Sequence, residues 1–280
     1  MKGIASRVLL DRYELGHKLG RGTSSTVFSG HSLRTGAPVA IKLCTQVDGQ
    51  QKARFYREAE LLARVMHPNV VRIVDFGQLA DGTQIIVTEF IAGQPLEELL
   101  RSRGALPWRE ALDVIGGVFS GLEALHDAGI IHRDIKPSNV LVERGARPTV
   151  KLIDLGVSRD VRGRSNPITA AGMVVGTVAF MAPELIALEP VDERSDLYSA
   201  GVVLYEMLCG ELPFTGDAAA MAADKLRYAG VSVLHRVEGR AAWPESVARF
   251  TLSLLRRKPD ERPSSASECV AAVRSILVGR

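Results

Sequence analysis

The sequence predicts an α+β protein of two lobes, β-rich up to about residue 91 and helical from about residue 92. Short strand-like runs separated by turn signals fill the first part, and apolar stripes of helical period follow. The change falls at Ala92-Gly93, and neither an internal repeat nor a low-complexity linker interrupts the chain.

Taken in order, Tyr13 to Leu19 and Thr26 to Leu33 read as strands flanking a glycine-rich turn. Arg34-Thr35-Gly36 turns the chain into an apolar strand, Pro38 to Cys44. Gln51 to Val65 is helical by period, with Phe55, Ala59, Leu62 and either Val65 or Met66 on one stripe. Val70 to Gln78 and Thr83 to Phe90 read as strands joined at Asp81-Gly82, a strong hairpin signal. Beyond Ala92-Gly93, Ala111, Val114, Ile115, Val118, Leu122 and Leu125 mark a long helix that stops at Gly129. Val140 to Val142 and Thr149 to Ile153 then form a hairpin.

The 280 residues suffice for two lobes with a sizeable core, and 46% apolar with 24% charged is a globular balance. A net charge of +3 with 5% aromatic residues argues against a nucleic-acid partner, which would call for a clustered basic face or a stacking platform. Cys44, Cys209 and Cys269 are too far apart for a metal pair or a disulfide framework, which points to a reducing compartment and to core roles. No apolar run reaches the roughly 18 residues of a membrane span, and Met1 to Asp11 shows no apolar h-region. The expectation is a cytoplasmic chain with no membrane segment.

Chemistry is concentrated at four places. Gly20-Arg21-Gly22-Thr23-Ser24-Ser25-Thr26-Val27 lets backbone amides approach a phosphate closely. A β-rich stretch rather than a helix follows it, which excludes the dinucleotide fingerprint, and no Gly-Lys-Ser/Thr loop is present. Lys42 ends the apolar strand Val39-Ala40-Ile41-Lys42, and alone it reads as a solvated lysine. Glu58, however, lies on the apolar stripe of the next helix, where a carboxylate needs a partner, and Lys42 is the nearest cation in sequence. Glu60 is off the stripe, four residues before Arg64. The fourth place is His132-Arg133-Asp134-Ile135-Lys136-Pro137-Ser138-Asn139 with the hairpin behind it. Asn139 opens that hairpin and Asp154 closes it, so two oxygen donors meet at one end, a set that suits Mg²⁺. Asp134 is placed to accept a hydroxyl proton, and Lys136 to neutralise a transferring phosphoryl group.

In this order and spacing, the chain resembles a Hanks-type protein kinase from about Tyr13 to Leu277, and its composition is similar to the bacterial serine/threonine branch. The resemblance implies a bilobal protein kinase fold over 13–277, behind a 1–12 extension, with an N-lobe at about 13–91 and a C-lobe at about 92–277. It implies ATP and Mg²⁺ as cofactors and protein hydroxyls as acceptors. Gly20 to Val27 would cover the phosphates, and Lys42 would hold them and pair with Glu58. Leu19, Val27, Ala40 and Leu141 would sandwich adenine beside Thr88 and the hinge Glu89-Phe90-Ile91. Asp134 would be the base, with Asn139 and Asp154 the metal ligands. Ala182-Pro183-Glu184 matches the element that closes the activation segment, Arg262 its arginine partner, and Asp196 the brace of the catalytic loop. Lys136 and Thr177 match the serine/threonine class.

Two departures stand out. Asp154-Leu155-Gly156 has Leu where the family usually has Phe, while Asp75-Phe76-Gly77 spells the family triplet at a strand end, without a catalytic role. Ser25 replaces the third glycine. Among Ser158, Ser165 and Thr169, Thr169 is the expected autophosphorylation site, acting through Arg133 and allowing a homodimer for the transfer. The alternative reading, a catalytically weak pseudokinase or nucleotide-binding scaffold, predicts loss of Lys42, Asp134 or Asp154; all three are present.

Overall fold

The computed structural model describes residues 8–22, 25–44, 49–143, 149–154, 175–227 and 243–279. The chain divides into two compact units between Ala92 and Gly93. The first is β-rich and the second largely helical, the α+β architecture expected.

In the first unit, β1 (Val8–Leu9), β2 (Tyr13–Arg21), β3 (Ser25–Ser32), β4 (Pro38–Cys44), β5 (Ile73–Gln78) and β6 (Gln84–Glu89) form one antiparallel sheet in the order β1-β2-β3-β4-β6-β5. Alternation along β4 sets its two faces. Val39, Ile41 and Leu43 are buried with Leu9, Tyr13, Ile85 and Val87. Ala40 and Lys42 therefore face the other way. Val27 lies opposite Lys42, Thr88 opposite Ala40, and Ile86 opposite both Lys42 and Phe76, so all share that second face. Helix α1 (Gly49–Ala63) packs over it, with Tyr56 against the Phe76 ring at 5.9 Å between centroids. Its stripe buries Phe55, Ala59 and Leu62, and Val65 just past its end is buried too, whereas Met66 is 80% exposed. The choice the sequence left open thus falls to Val65. Strand β3 crosses β2 closely at Gly30, where a Cβ would stand 2.5 Å from the Glu14 carbonyl oxygen.

In the second unit, β7 (Gln94–Pro95) joins β8 (Val140–Glu143) and β9 (Thr149–Leu152) in a small antiparallel sheet. Helices α2 (Leu96–Arg103) and α3 (Trp108–Asp127) precede the hairpin, and α3 packs against α6 (Arg194–Cys209), α9 (Ala266–Val278) and β9. All six stripe residues of α3 are wholly buried, each aliphatic one stabilising by about 1.5–3 kcal/mol. Gly129, at φ +72°, ends the helix with Ile130 N donating to the Leu125 carbonyl. Helix α6 is buried nearly all round; at Gly201 a Cβ would stand 2.6 Å from Cβ of Leu254 on α8 (Glu245–Leu254). Short helices α4 (Val175–Phe180) and α5 (Pro183–Ala187), with α7 (Ala218–Arg227), also belong to this unit. Cys44, Cys209 and Cys269 are buried thiols. Among the described residues, no helix is long and apolar enough to cross a membrane.

Candidate active site

Each unit carries its own part of the predicted machinery. In the first, Ala40, Lys42 and Val27 stand on the face over which α1 packs. That placement is the precondition for pairing Lys42 with a residue of α1. Leu19 is 45% exposed and Phe90 37%, while Val27, Ala40 and Ile91 are half-buried, so apolar surface remains open here. A Cβ at Gly20 would meet nothing within 4 Å. The protein's own packing does not ask for glycine there, and the space fits a phosphate approaching the backbone. Glu89 is tied to the sheet edge, its N–H donating to the Arg72 carbonyl and its Oε1 accepting from Arg72 N, both at 3.0 Å.

In the second unit the loop that carries His132 to Asn139 is held by Asp196, in the first turn of α6 and fully buried. Its Oδ2 accepts from His132 N at 2.8 Å and its Oδ1 from Arg133 N at 2.8 Å; His126 Nε2 lies 2.9 Å from Oδ2. These bonds hold Arg133 at φ +61°, a left-handed conformation unfavourable for a residue with a side chain. Burial keeps the His132 imidazole below its ordinary pKa and so neutral. Its Nδ1 accepts from Asp134 N at 3.3 Å, so Nε2 carries the hydrogen facing the Ile153 carbonyl, also at 3.3 Å.

Asp134 is 8% exposed. Lys136 Nζ reaches its Oδ2 at 3.0 Å, and Asn139 Nδ2 donates to the same oxygen at 2.9 Å and to the Asp134 carbonyl at 2.8 Å. Two oxygens on the Nδ2 side fix the Asn139 amide and leave Oδ1 as its acceptor. Ile153 N donates to the Asn139 carbonyl at 2.9 Å, continuing the Val140–Leu152 register. Asn139 and Asp154 therefore do stand at the same end of the hairpin, with Asp154 exposed at φ +61°. Leu141 is half-buried between the buried Val140 and Val142, hence on the opposite face of β8. Among the described residues, no group of three or more His, Cys, Asp or Glu side chains could hold a metal. An amide oxygen and one carboxylate fit Mg²⁺, which takes few protein ligands and completes its shell with water and phosphate.

Glu184 and Arg262 form a buried double hydrogen bond at 2.7 and 2.8 Å, with Ser195 Oγ donating to Glu184 at 2.6 Å. Burial pushes the Glu184 carboxyl up, but Arg262 and Ser195 hold it below its ordinary value. Asp75 belongs elsewhere: it accepts from Tyr13 Oη at 2.9 Å and pairs with Arg12 at 2.8 Å. Sequence reasoning missed His126, Ser195 and Lys225, whose surroundings in sequence carry no signal of their long-range partners. Thr23, Ser24, Leu155, Gly156 and Thr169 lie outside the described residues, as do the side chains of Glu58 and Thr177.

Residues 13–273 match the family model described as the protein kinase domain. The serine/threonine-protein kinase pkn3 of Myxococcus xanthus is 34% identical over 95% of this chain and 50% of its own length. PknB of Mycobacterium tuberculosis, a serine/threonine-protein kinase, is 36% identical over 93% of this chain and 42% of its own. A probable serine/threonine-protein kinase PknB of Bifidobacterium longum is 41% identical over 76% of this chain and 32% of its own. The chain thus spans half or less of the length of these relatives. With its match over 13–273, this chain belongs to the protein kinase family.

Proposed function

We propose that the chain is a serine/threonine protein kinase that transfers the γ-phosphate of ATP to hydroxyls of protein acceptors. The observation that carries this reading is the meeting of Lys136 and Asn139 on Oδ2 of Asp134, beside a hairpin that ends in Asp154. In the proposed reaction the acceptor hydroxyl oxygen bonds to the γ-phosphorus, the bond to the ADP oxygen breaks, and the hydroxyl proton passes to Asp134. Lys136 would neutralise charge on the moving phosphoryl group. Asn139 Oδ1 and Asp154 would hold Mg²⁺, which when bound offsets phosphate charge. Residues 20–27 and Lys42, paired with Glu58, would hold the phosphates; Leu19, Val27, Ala40 and Leu141 would contact adenine, with Glu89 and Ile91 at the hinge.

Asp134→Asn tests the reading. It should keep ATP binding and lose at least about a hundredfold in transfer of radiolabel from ATP to protein; transfer near the wild-type rate would refute it. As regulation, we propose phosphorylation of Thr169 between two copies, with Arg133 receiving the phosphate. Full activity of Thr169→Ala, or active enzyme without phosphate at Thr169 in mass spectrometry, removes that part. The chain is proposed to act in the cytoplasm on protein substrates.

A further inference from the structure

Lys225 on α7 is 1% exposed, an unusual place for a lysine. Its Nζ donates to the carbonyls of Val178 (3.1 Å), Ala179 (2.6 Å) and Met181 (2.8 Å). An ammonium has three donors, and all three are spent on one short stretch at the C-terminal end of α4, where the helix dipole favours a cation. The rings of Tyr198 and Phe214 lie 5.3 and 5.6 Å from Nζ.

Among the described residues, no carboxylate on the elements packed against α7 forms an ion pair with Lys225. Helix α4 has no charged residue. On α5, Glu184 is engaged by Arg262; beyond its end, Glu189 faces Arg257, whose Nε donates to the Leu226 carbonyl at the end of α7. From α6 comes the Tyr198 ring, with Arg262 4.9 Å from its centre. In the loop before α7, Asp217 caps Ala220 N, and Glu211 lies further back. Asp224 and Arg227 are the other charged residues on α7 itself. Burial alone pushes the Lys225 amine down to about 7.

We propose that Lys225 is a positioning residue for the protein acceptor: by gathering three carbonyls it fixes the chain between Thr177 and Glu184 in the form that receives that acceptor. This rests on the reading of the chain as a protein-directed kinase. The segment starts beside Thr177, which by resemblance braces Asp134 and Lys136, and runs into the Glu184–Arg262 anchor. Every donor it receives from Lys225 goes to backbone, so the clamp acts on the path of the chain and leaves Phe180 and Met181 half-exposed. A neutral amine has two donors for three carbonyls, so the clamp should weaken as pH rises through 7.

The test is steady-state kinetics at pH 6 and pH 8 with casein as acceptor, on wild type, Lys225→Arg and Lys225→Met. In the wild type, KM for casein should rise with pH. Lys225→Arg, cationic at both pH values, should remove that rise. Lys225→Met should raise KM for casein about tenfold at pH 6, equivalent to about 1.4 kcal/mol, with KM for ATP within about twofold. A casein KM in the wild type that does not change with pH overturns the proposal even if neither variant folds. So does a folded Lys225→Met with wild-type casein KM, or equal changes in KM for ATP and casein. A wild type that moves no label to casein sinks the kinase reading along with it, whereas an active enzyme with a flat profile sinks only the role of Lys225.

Discussion

Replacing Asp196 by Asn separates bracing of the His132–Asn139 loop from the chemistry proposed at Asp134. The carboxylate is fully buried and holds two backbone N–H groups at 2.8 Å and His126 Nε2 at 2.9 Å. An amide keeps one oxygen and turns an NH₂ toward the other donors. If the oxygen stays on His132 N, Arg133 N loses its acceptor; an unsatisfied buried donor costs about 1–3 kcal/mol. Loss of charge assistance to the remaining bonds adds about 1 kcal/mol, so stability should fall by about 2–4 kcal/mol. Arg133, held at φ +61° by the lost bond, can then relax toward the right-handed region and carry Asp134 with it. A shift of about 1 Å at the site lowers turnover by about a hundredfold. Urea unfolding measures the first effect and radiolabel transfer from ATP to casein the second. The exposed pair Arg249–Glu245 (74% and 85% exposed) supplies a control: Arg249→Ala should cost no more than about 0.5 kcal/mol. An Asp196→Asn protein within about 1 kcal/mol of wild type and within about threefold in activity would refute the bracing argument.

Two further predictions follow from the same geometry. Asp154→Ala should abolish Mg²⁺-dependent transfer, while Asp75→Ala, which frees Tyr13, Arg12 and the Phe76 N–H, should cost about 1–2 kcal/mol of stability and leave activity intact; a metal titration that finds Asp75 the more sensitive site sinks the assignment. Glu206 has a buried Oε2 without a hydrogen-bond partner among the described residues, and burial, with Glu97 nearby, pushes its carboxyl up to about 7. The native state then binds the proton more tightly than the unfolded chain, so this group lowers stability as pH rises from about 4.5 to 7. Glu206→Gln should be more stable than wild type by about 1–3 kcal/mol at pH 8 and nearly equal to it at pH 4, in urea unfolding; an unchanged pH slope would count against it.

Period and spacing made much of the first unit legible in the sequence, because alternation in Val39-Ala40-Ile41-Lys42 already divides buried from open face. The same holds for the α3 stripe and for the hairpin that brings Asn139 and Asp154 to one end, both consequences of local geometry. Strand β7 was not legible: two residues, Gln94 and Pro95, carry no alternation, and only pairing with β8 makes them a strand. Val65 rather than Met66 is buried, a choice between neighbours just past the end of α1 that the stripe alone leaves open by one residue. Lys225 carries no signal in the sequence that sets it apart from a surface lysine; its burial depends on the carbonyls of α4 and the rings of Tyr198 and Phe214. Likewise His126 finds Asp196 70 residues on, and Arg262 finds Glu184 across 78. Sequence determined the strands of the first unit, the α3 helix, the hairpin behind it and the residue types that can do chemistry, because backbone geometry and side-chain period act within a few residues. Only the tertiary structure decided which polar groups satisfy one another, because a buried donor takes whatever acceptor the packing brings within about 3 Å, however distant in the chain.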